Sequence, residues 1–137
     1  MKPEQKNVLI VEDNDLTAEI IDRFVRDLGH DVVRARDGGR AIELLQATDF
    51  DAVFLDILMP HTDGFEVLNW LRRNEKKELP VIVFSEANLR FSIDFQQMAE
   101  NLGALRAYDK PVTFDKVKAA FDEISSAQTD HPGQRDS

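Results

Sequence analysis

The sequence predicts an α/β fold: a parallel sheet with helices on both faces. Two observations lead there. Short apolar runs alternate with longer amphipathic segments five times along the chain. Three of those runs also end in charged side chains, and parallel strands collect such groups at one sheet edge, where open α/β sheets bind ligands.

Val8-Leu9-Ile10-Val11 is a buried first strand. Leu16 to Leu28 follows as a helix, with Ile20, Ile21, Phe24, Val25 and Leu28 on one face and Gly29 suited to its C-terminal cap. Val32-Val33 is a short second strand. Asp37-Gly38-Gly39 reads as a turn, and Ala41, Ile42, Leu44 and Leu45 mark a second helix. Ala52 to Leu55 is the third strand. Phe65, Leu68 and Leu71 stripe a third helix that ends before Leu79-Pro80. Val81 to Phe84 is the fourth strand. Phe91, Phe95, Met98 and Leu102 space a fourth helix closed by Gly103. Leu105 to Tyr108 is the fifth strand. Val117, Ala120, Phe121 and Ile124 belong to a last helix that Thr113 is placed to cap. The expected division is residues 1–6 as a lead, 7–126 as one domain, and 127–137 as a disordered polar tail containing Pro132 and Gly133.

A chain of 137 residues is long enough for one sizeable core. Its 42% apolar and 31% charged content are those of a soluble globular protein. A net charge of −9 argues against non-specific nucleic-acid binding and against attraction to anionic membranes. The absence of cysteine removes disulfides and thiolate metal sites and fits a reducing compartment. No segment has the make-up of a signal peptide or the roughly 18 apolar residues of a membrane span, so a cytoplasmic location is expected.

The chemistry lies at the strand ends. Val11 runs into Glu12-Asp13, Leu55 into Asp56, Phe84 into Ser85, and Tyr108 into Asp109-Lys110-Pro111. Glu12 and Asp13 can splay around a loop and serve one cation. With Asp56 they make three carboxylates whose mutual repulsion a hard divalent cation relieves; Mg²⁺ (or Mn²⁺) suits such oxygen ligands. Each group alone has a plainer reading. An acid or serine at a strand end often caps the next helix, and a loop lysine is usually solvated. A cis Lys110-Pro111 bond is one way to turn the ammonium toward the sheet edge. The combination is what points to a site.

That combination resembles the receiver domain of bacterial two-component response regulators. The matching residues are Val11-Glu12-Asp13-Asn14, Leu55-Asp56-Ile57-Leu58-Met59-Pro60, Asp63-Gly64, Ser85, Gly103-Ala104 and Lys110-Pro111, and the resemblance spans about residues 6 to 126. It implies a flavodoxin-like, doubly wound five-stranded sheet in the order 2-1-3-4-5 with five helices. It implies that Asp56 accepts a phosphoryl group from a phosphohistidine on a sensor kinase or phosphotransfer protein. Glu12, Asp13, Asp56 and the Leu58 backbone carbonyl would hold Mg²⁺, Lys110 would pair with phosphoryl oxygens, and the Ser85 hydroxyl would bond one of them. The protein would then be a phosphoacceptor rather than an enzyme acting on a separate substrate. Asp63-Gly64 supplies turn chemistry before the third helix. The fourth helix, fifth strand and last helix would form the face for a downstream partner or a homodimer.

The chain departs from the family in three places. The aromatic residue expected three positions before the lysine is Ala107; Tyr108 comes one later and faces the other way unless a bulge intervenes. The residue after the hydroxyl, normally small, is Glu86. The stretch from Ser85 to Lys110 is a few residues longer than usual for the family, and Leu89 and Ile93 in it fall off the helical stripe. After Ile124 too few residues remain for an output domain, so the chain is expected to signal through protein contacts or pass phosphate onward, or to be one domain of a longer protein. Two alternatives stay open. One is a degenerate receiver that binds its partner regardless of phosphorylation. The other is a phosphatase of the haloacid-dehalogenase type, suggested by Asp13-Asn14-Asp15-Leu16-Thr17.

Overall fold

Strand pleating sends successive side chains to opposite faces, so an unbroken apolar run feeds two cores at once. The computed structural model, which describes residues 5–57, 64–74, 78–86 and 95–129, has this organisation. Its elements are β1 (Asn7–Val11), α1 (Asp15–Asp27), β2 (Asp31–Ala35), α2 (Gly38–Ala47), β3 (Ala52–Asp56), α3 (Gly64–Arg73), β4 (Val81–Ser85), α4 (Phe95–Asn101), β5 (Arg106–Asp109) and α5 (Phe114–Thr129). The strands pair in parallel in the order β2-β1-β3-β4-β5. This is the doubly wound, flavodoxin-like sheet expected. Strand order reverses between β1 and β3, which opens the crevice where such sheets place their ligands.

Leu9 and Val11, Val53 and Leu55, and Val81 and Val83 pack with Ala41 and Leu45 of α2, Val67, Leu68 and Leu71 of α3, and Ala99 of α4. Their neighbours Val8, Ile10, Ala52, Phe54, Ile82 and Phe84 pack on the other face with Ile21 and Val25 of α1 and Val117, Ala120, Phe121 and Ile124 of α5. Each strand thereby serves both layers.

The helix ends follow local chemistry. Asn14 Oδ1 accepts from Thr17 N (2.9 Å) to start α1, and Thr113 Oγ1 accepts from Lys116 N (3.2 Å) to start α5 as expected. Gly29 (φ 94°) and Gly103 (φ 112°) take the left-handed conformation that closes α1 and α4. In each case two backbone bonds complete the turn, Gly29 N to Arg26 O with His30 N to Val25 O, and Gly103 N to Glu100 O with Ala104 N to Ala99 O.

Several expectations shift. Gly38 and Gly39 lie inside α2 rather than in a turn, because Asp37 is the N-cap and accepts from Arg40 N (2.8 Å). Ile20 is 36% exposed; the buried stripe of α1 is Ala18, Ile21 and Val25. The end of the lead belongs to the fold, since Lys6 is buried and its N–H donates to His30 Nδ1 (3.1 Å). α5 continues through Ala127 to Thr129, so the polar tail does not begin at 127. Of the fourth-helix stripe, Leu102 packs partly buried on the core beside buried Ala99. Phe91, Leu89, Ile93 and the side chains of Phe95 and Met98 lie outside the described residues. Among the described residues no helix is long and apolar enough to cross a membrane.

Candidate functional site

The carboxyl ends of β1, β3 and β5 meet at the crevice. Glu12 extends the pairing of β1 with β2 by one residue, its N–H donating to Ala35 O (3.1 Å). Asp56 is the last residue of β3 and lies in register with Phe84 of β4. Lys110 follows β5, and its N–H donates to Ser85 O (2.9 Å), which ties the β5 loop to the end of β4. The Lys110-Pro111 peptide is cis.

The side chains converge as the sequence implied. Glu12, Asp13 and Asp56 each present a carboxylate oxygen within 4.8 Å of the other two. The Lys110 ammonium donates to Glu12 Oε1 (2.9 Å) and to Asp56 Oδ2 (3.2 Å). Glu12 is 1% exposed and Asp56 6%. Burial pushes the Glu12 carboxyl up from 4.5 to about 7; the hydrogen bond from Lys110 opposes that rise, and the Asp56 charge adds to it. Burial alone would lower the Lys110 ammonium, but its bonds and charge interactions with Glu12 and Asp56 outweigh that and raise it. Three carboxylates against one ammonium leave the cluster short of positive charge. A hard divalent cation with oxygen ligands, Mg²⁺ or Mn²⁺, is the species this donor set fits.

Ser85 is buried at the end of β4, and its hydroxyl makes a long 3.4 Å bond to Glu86 O. It stands beside the cluster through the backbone bond to Lys110. Leu58, the expected carbonyl ligand, lies outside the described residues, as do Met59, Pro60 and Asp63. Gly64 has a stronger reason than turn chemistry. A Cβ there would meet Ile57 Cα at 2.5 Å, Asp56 O at 2.7 Å and Ile57 O at 2.9 Å. The start of α3 therefore packs directly on the backbone that carries Asp56, a spacing only glycine allows.

One contributor escaped the sequence reading. Arg34, in β2, donates from Nε (3.1 Å) and Nη2 (2.8 Å) to Glu12 O and from Nη1 (2.7 Å) to Asp15 Oδ1. A charge directly after the apolar pair Val32-Val33 was its only signal. Arg36 joins at Asp15 Oδ1 (2.8 Å), and the two guanidiniums, Arg34 foremost, hold the Asp15 carboxyl below its usual range. In the Asp13-to-Thr17 pattern, Asn14 thus caps a helix and Asp15 pairs with arginines.

β5 runs in unbroken register with β4, so no bulge redirects Tyr108. Tyr108 stacks on Phe84 (centroids 5.6 Å apart) on the α1/α5 side, while Ala107 packs into the opposite core. Glu86 is exposed and, with Thr17, Ile20, Lys110, Pro111 and Val112, lines a cleft of about 460 Å³ beside the acidic cluster.

Comparison with known proteins places this geometry. Residues 8–122 match the family described as "Response regulator receiver domain". The chain is 30% identical to the polar-differentiation response regulator DivK of Brucella ovis over 110 residues, covering 79% of this chain and 86% of that one. Among solved structures, the Francisella response regulator 1452 receiver domain superposes with a TM-score of 0.77 at 24% identity, covering 88% of this chain and 98% of the other. The chemotaxis response regulator CheY4 of Vibrio cholerae does so at 0.78 and 23%, covering 88% and 99%. These two structures support the fold.

Proposed function

The chain belongs to the response regulator receiver family of two-component signalling, and on that premise we propose that Asp56 is its phosphoacceptor. The carrying observation is the Lys110 ammonium held between Glu12 and Asp56 in a cluster of three carboxylates. An Asp56 oxygen forms a bond to phosphorus as the bond from phosphorus to a histidine nitrogen of the donor breaks, and the bonding pair leaves with the imidazole. Phosphoryl transfer asks for positioning and charge neutralisation more than for covalent help. Lys110 supplies positive charge to the oxygens of the transferred group, and the hydroxyl of Ser85, at the neighbouring strand end, bonds one of them. Mg²⁺ held by Glu12, Asp13 and Asp56 would supply further neutralisation when bound.

The donor is a sensor histidine kinase or a phosphotransfer protein. The protein works in the cytoplasm, and its own chemistry is limited to taking and losing the phosphoryl group. Its output passes through protein contacts or self-association on the face of α4, β5 and α5. The test is intact-mass measurement after exposure to acetyl phosphate with Mg²⁺. One added phosphoryl group is expected, absent in Asp56→Ala and in EDTA. No modification of a protein that demonstrably binds Mg²⁺ would refute the reading.

A second reading is favoured by Ala107 and Tyr108. With Tyr108 packed on Phe84 away from Ala107, the aromatic residue that the family carries at the position of Ala107 has no replacement, and a receiver that binds its partner in either state is consistent with that. Equal partner affinity for wild type and Asp56→Ala would select it.

A further inference from the structure

We infer that Arg34 is a positioning residue for the metal-binding acids: it fixes the backbone of the loop that carries Glu12 and Asp13. This rests on the proposed Mg²⁺ site. Glu12 and Asp13 leave β1 just where regular pairing ends, and a loop there would ordinarily be free to splay. Arg34 prevents that from the neighbouring edge strand. Its Nε and Nη2 form a two-pronged clamp on Glu12 O, the carbonyl of the peptide joining the two acids (3.1 and 2.8 Å). Its Nη1 reaches Asp15 at the first turn of α1 (2.7 Å). The clamp therefore spans the loop, one end on the metal-site peptide and the other on the helix that follows.

The other polar groups of Glu12 are held as well. Its N–H donates to Ala35 O (3.1 Å), its Oε2 accepts from Asn14 N (3.1 Å) and its Oε1 from Lys110 Nζ (2.9 Å). The guanidinium thus completes a set of bonds that fixes the peptide from which both carboxylates project. Arg34 is only partly exposed, with 25% of its side chain accessible, and its two bonds to Glu12 O are part-buried and so sheltered from competing water. A planar fork is suited to this task in a way that an ammonium is not.

Charge and geometry predict opposite signs. As a cation near a cation site, Arg34 should weaken Mg²⁺ binding through its field, and its removal should tighten binding. As a clamp it should strengthen binding, and its removal should weaken it. The experiment is calorimetric titration of the whole chain with Mg²⁺ alone, for wild type, Arg34→Gln and Arg34→Lys, with melting temperatures in EDTA recorded alongside. Loss of a partner that orients ligands typically lowers metal affinity by about 10- to 100-fold. Arg34→Gln is expected at about the lower end of that range. Arg34→Lys keeps the charge and loses the fork, so it should also bind more weakly than wild type; it carries the test should the glutamine variant not fold. Mg²⁺ affinity equal to or tighter than wild type in either folded variant would overturn the inference. Wild type that fails to bind Mg²⁺ would instead remove the proposed metal site on which it rests.

Discussion

Replacing Glu12 with glutamine tests the electrostatics of the site most directly. Glu12 is 1% exposed, and its carboxyl is raised from 4.5 to about 7, chiefly by burial. A raised carboxyl contributes stability that is fully present below its unfolded value and lost as pH climbs through the folded one. The interval from 4.5 to about 7 amounts to roughly 3 kcal/mol in all, at about 1.4 kcal/mol per tenfold. Most of that, roughly 2 to 3 kcal/mol, is lost between pH 5 and pH 8. Glutamine is neutral at both, like the protonated acid. In EDTA, the two proteins should therefore have similar stability at pH 5, and Glu12→Gln should be the more stable at pH 8 by roughly 2 to 3 kcal/mol. Urea unfolding at the two pH values measures the difference. Parallel pH profiles for the two proteins would refute the argument. Saturating Mg²⁺ should stabilise wild type more at pH 8 than at pH 5, because the metal needs the ionised carboxylate.

Three other perturbations probe the surroundings. Gly64→Ala drives a Cβ into the backbone of Asp56 and Ile57; it should destabilise by about 1–3 kcal/mol and reduce phosphorylation, and unchanged unfolding midpoints would contradict the close packing. Glu86→Gln removes a negative charge from the cleft beside Lys110 without changing its shape. Modification by the acetyl phosphate anion should then speed up roughly threefold to tenfold at low salt, and a gain that persists undiminished at high salt would rule out a charge effect. Burial, followed by the Lys6 charge, holds the His30 imidazole below its usual 6.5. The neutral ring's contribution is present above that value and lost as pH falls through it, so His30→Gln should flatten the acid side of the stability profile; identical acid profiles would count against it.

The comparison of sequence with structure turns on particular residues. Strand identity was legible because Val8 to Val11, Ala52 to Leu55 and Val81 to Phe84 are unbroken apolar runs, and both of their faces prove to be buried. Helix boundaries were less so: Asp37 caps α2 one residue before two glycines that look like a turn, and local composition does not tell a glycine inside a first turn from one outside it. Ile20 looked buried by spacing alone, but the outward side of α1 meets the cleft rather than a neighbouring element.

The acids and the lysine were readable from the chain because strand ends in a parallel sheet share an edge, whatever the intervening sequence. That arrangement, together with the motif at Asp56, is what the sequence by itself determined. The tertiary structure decided what depends on distance between segments remote in sequence. Lys110 pairs with Glu12 across 98 positions, and burial of that pair sets the protonation of Glu12. The unbroken β4–β5 register decides that Tyr108 faces away from Ala107. Arg34 acquires its task only because β2 lies beside β1, since a guanidinium in a strand has no partner until the sheet supplies one.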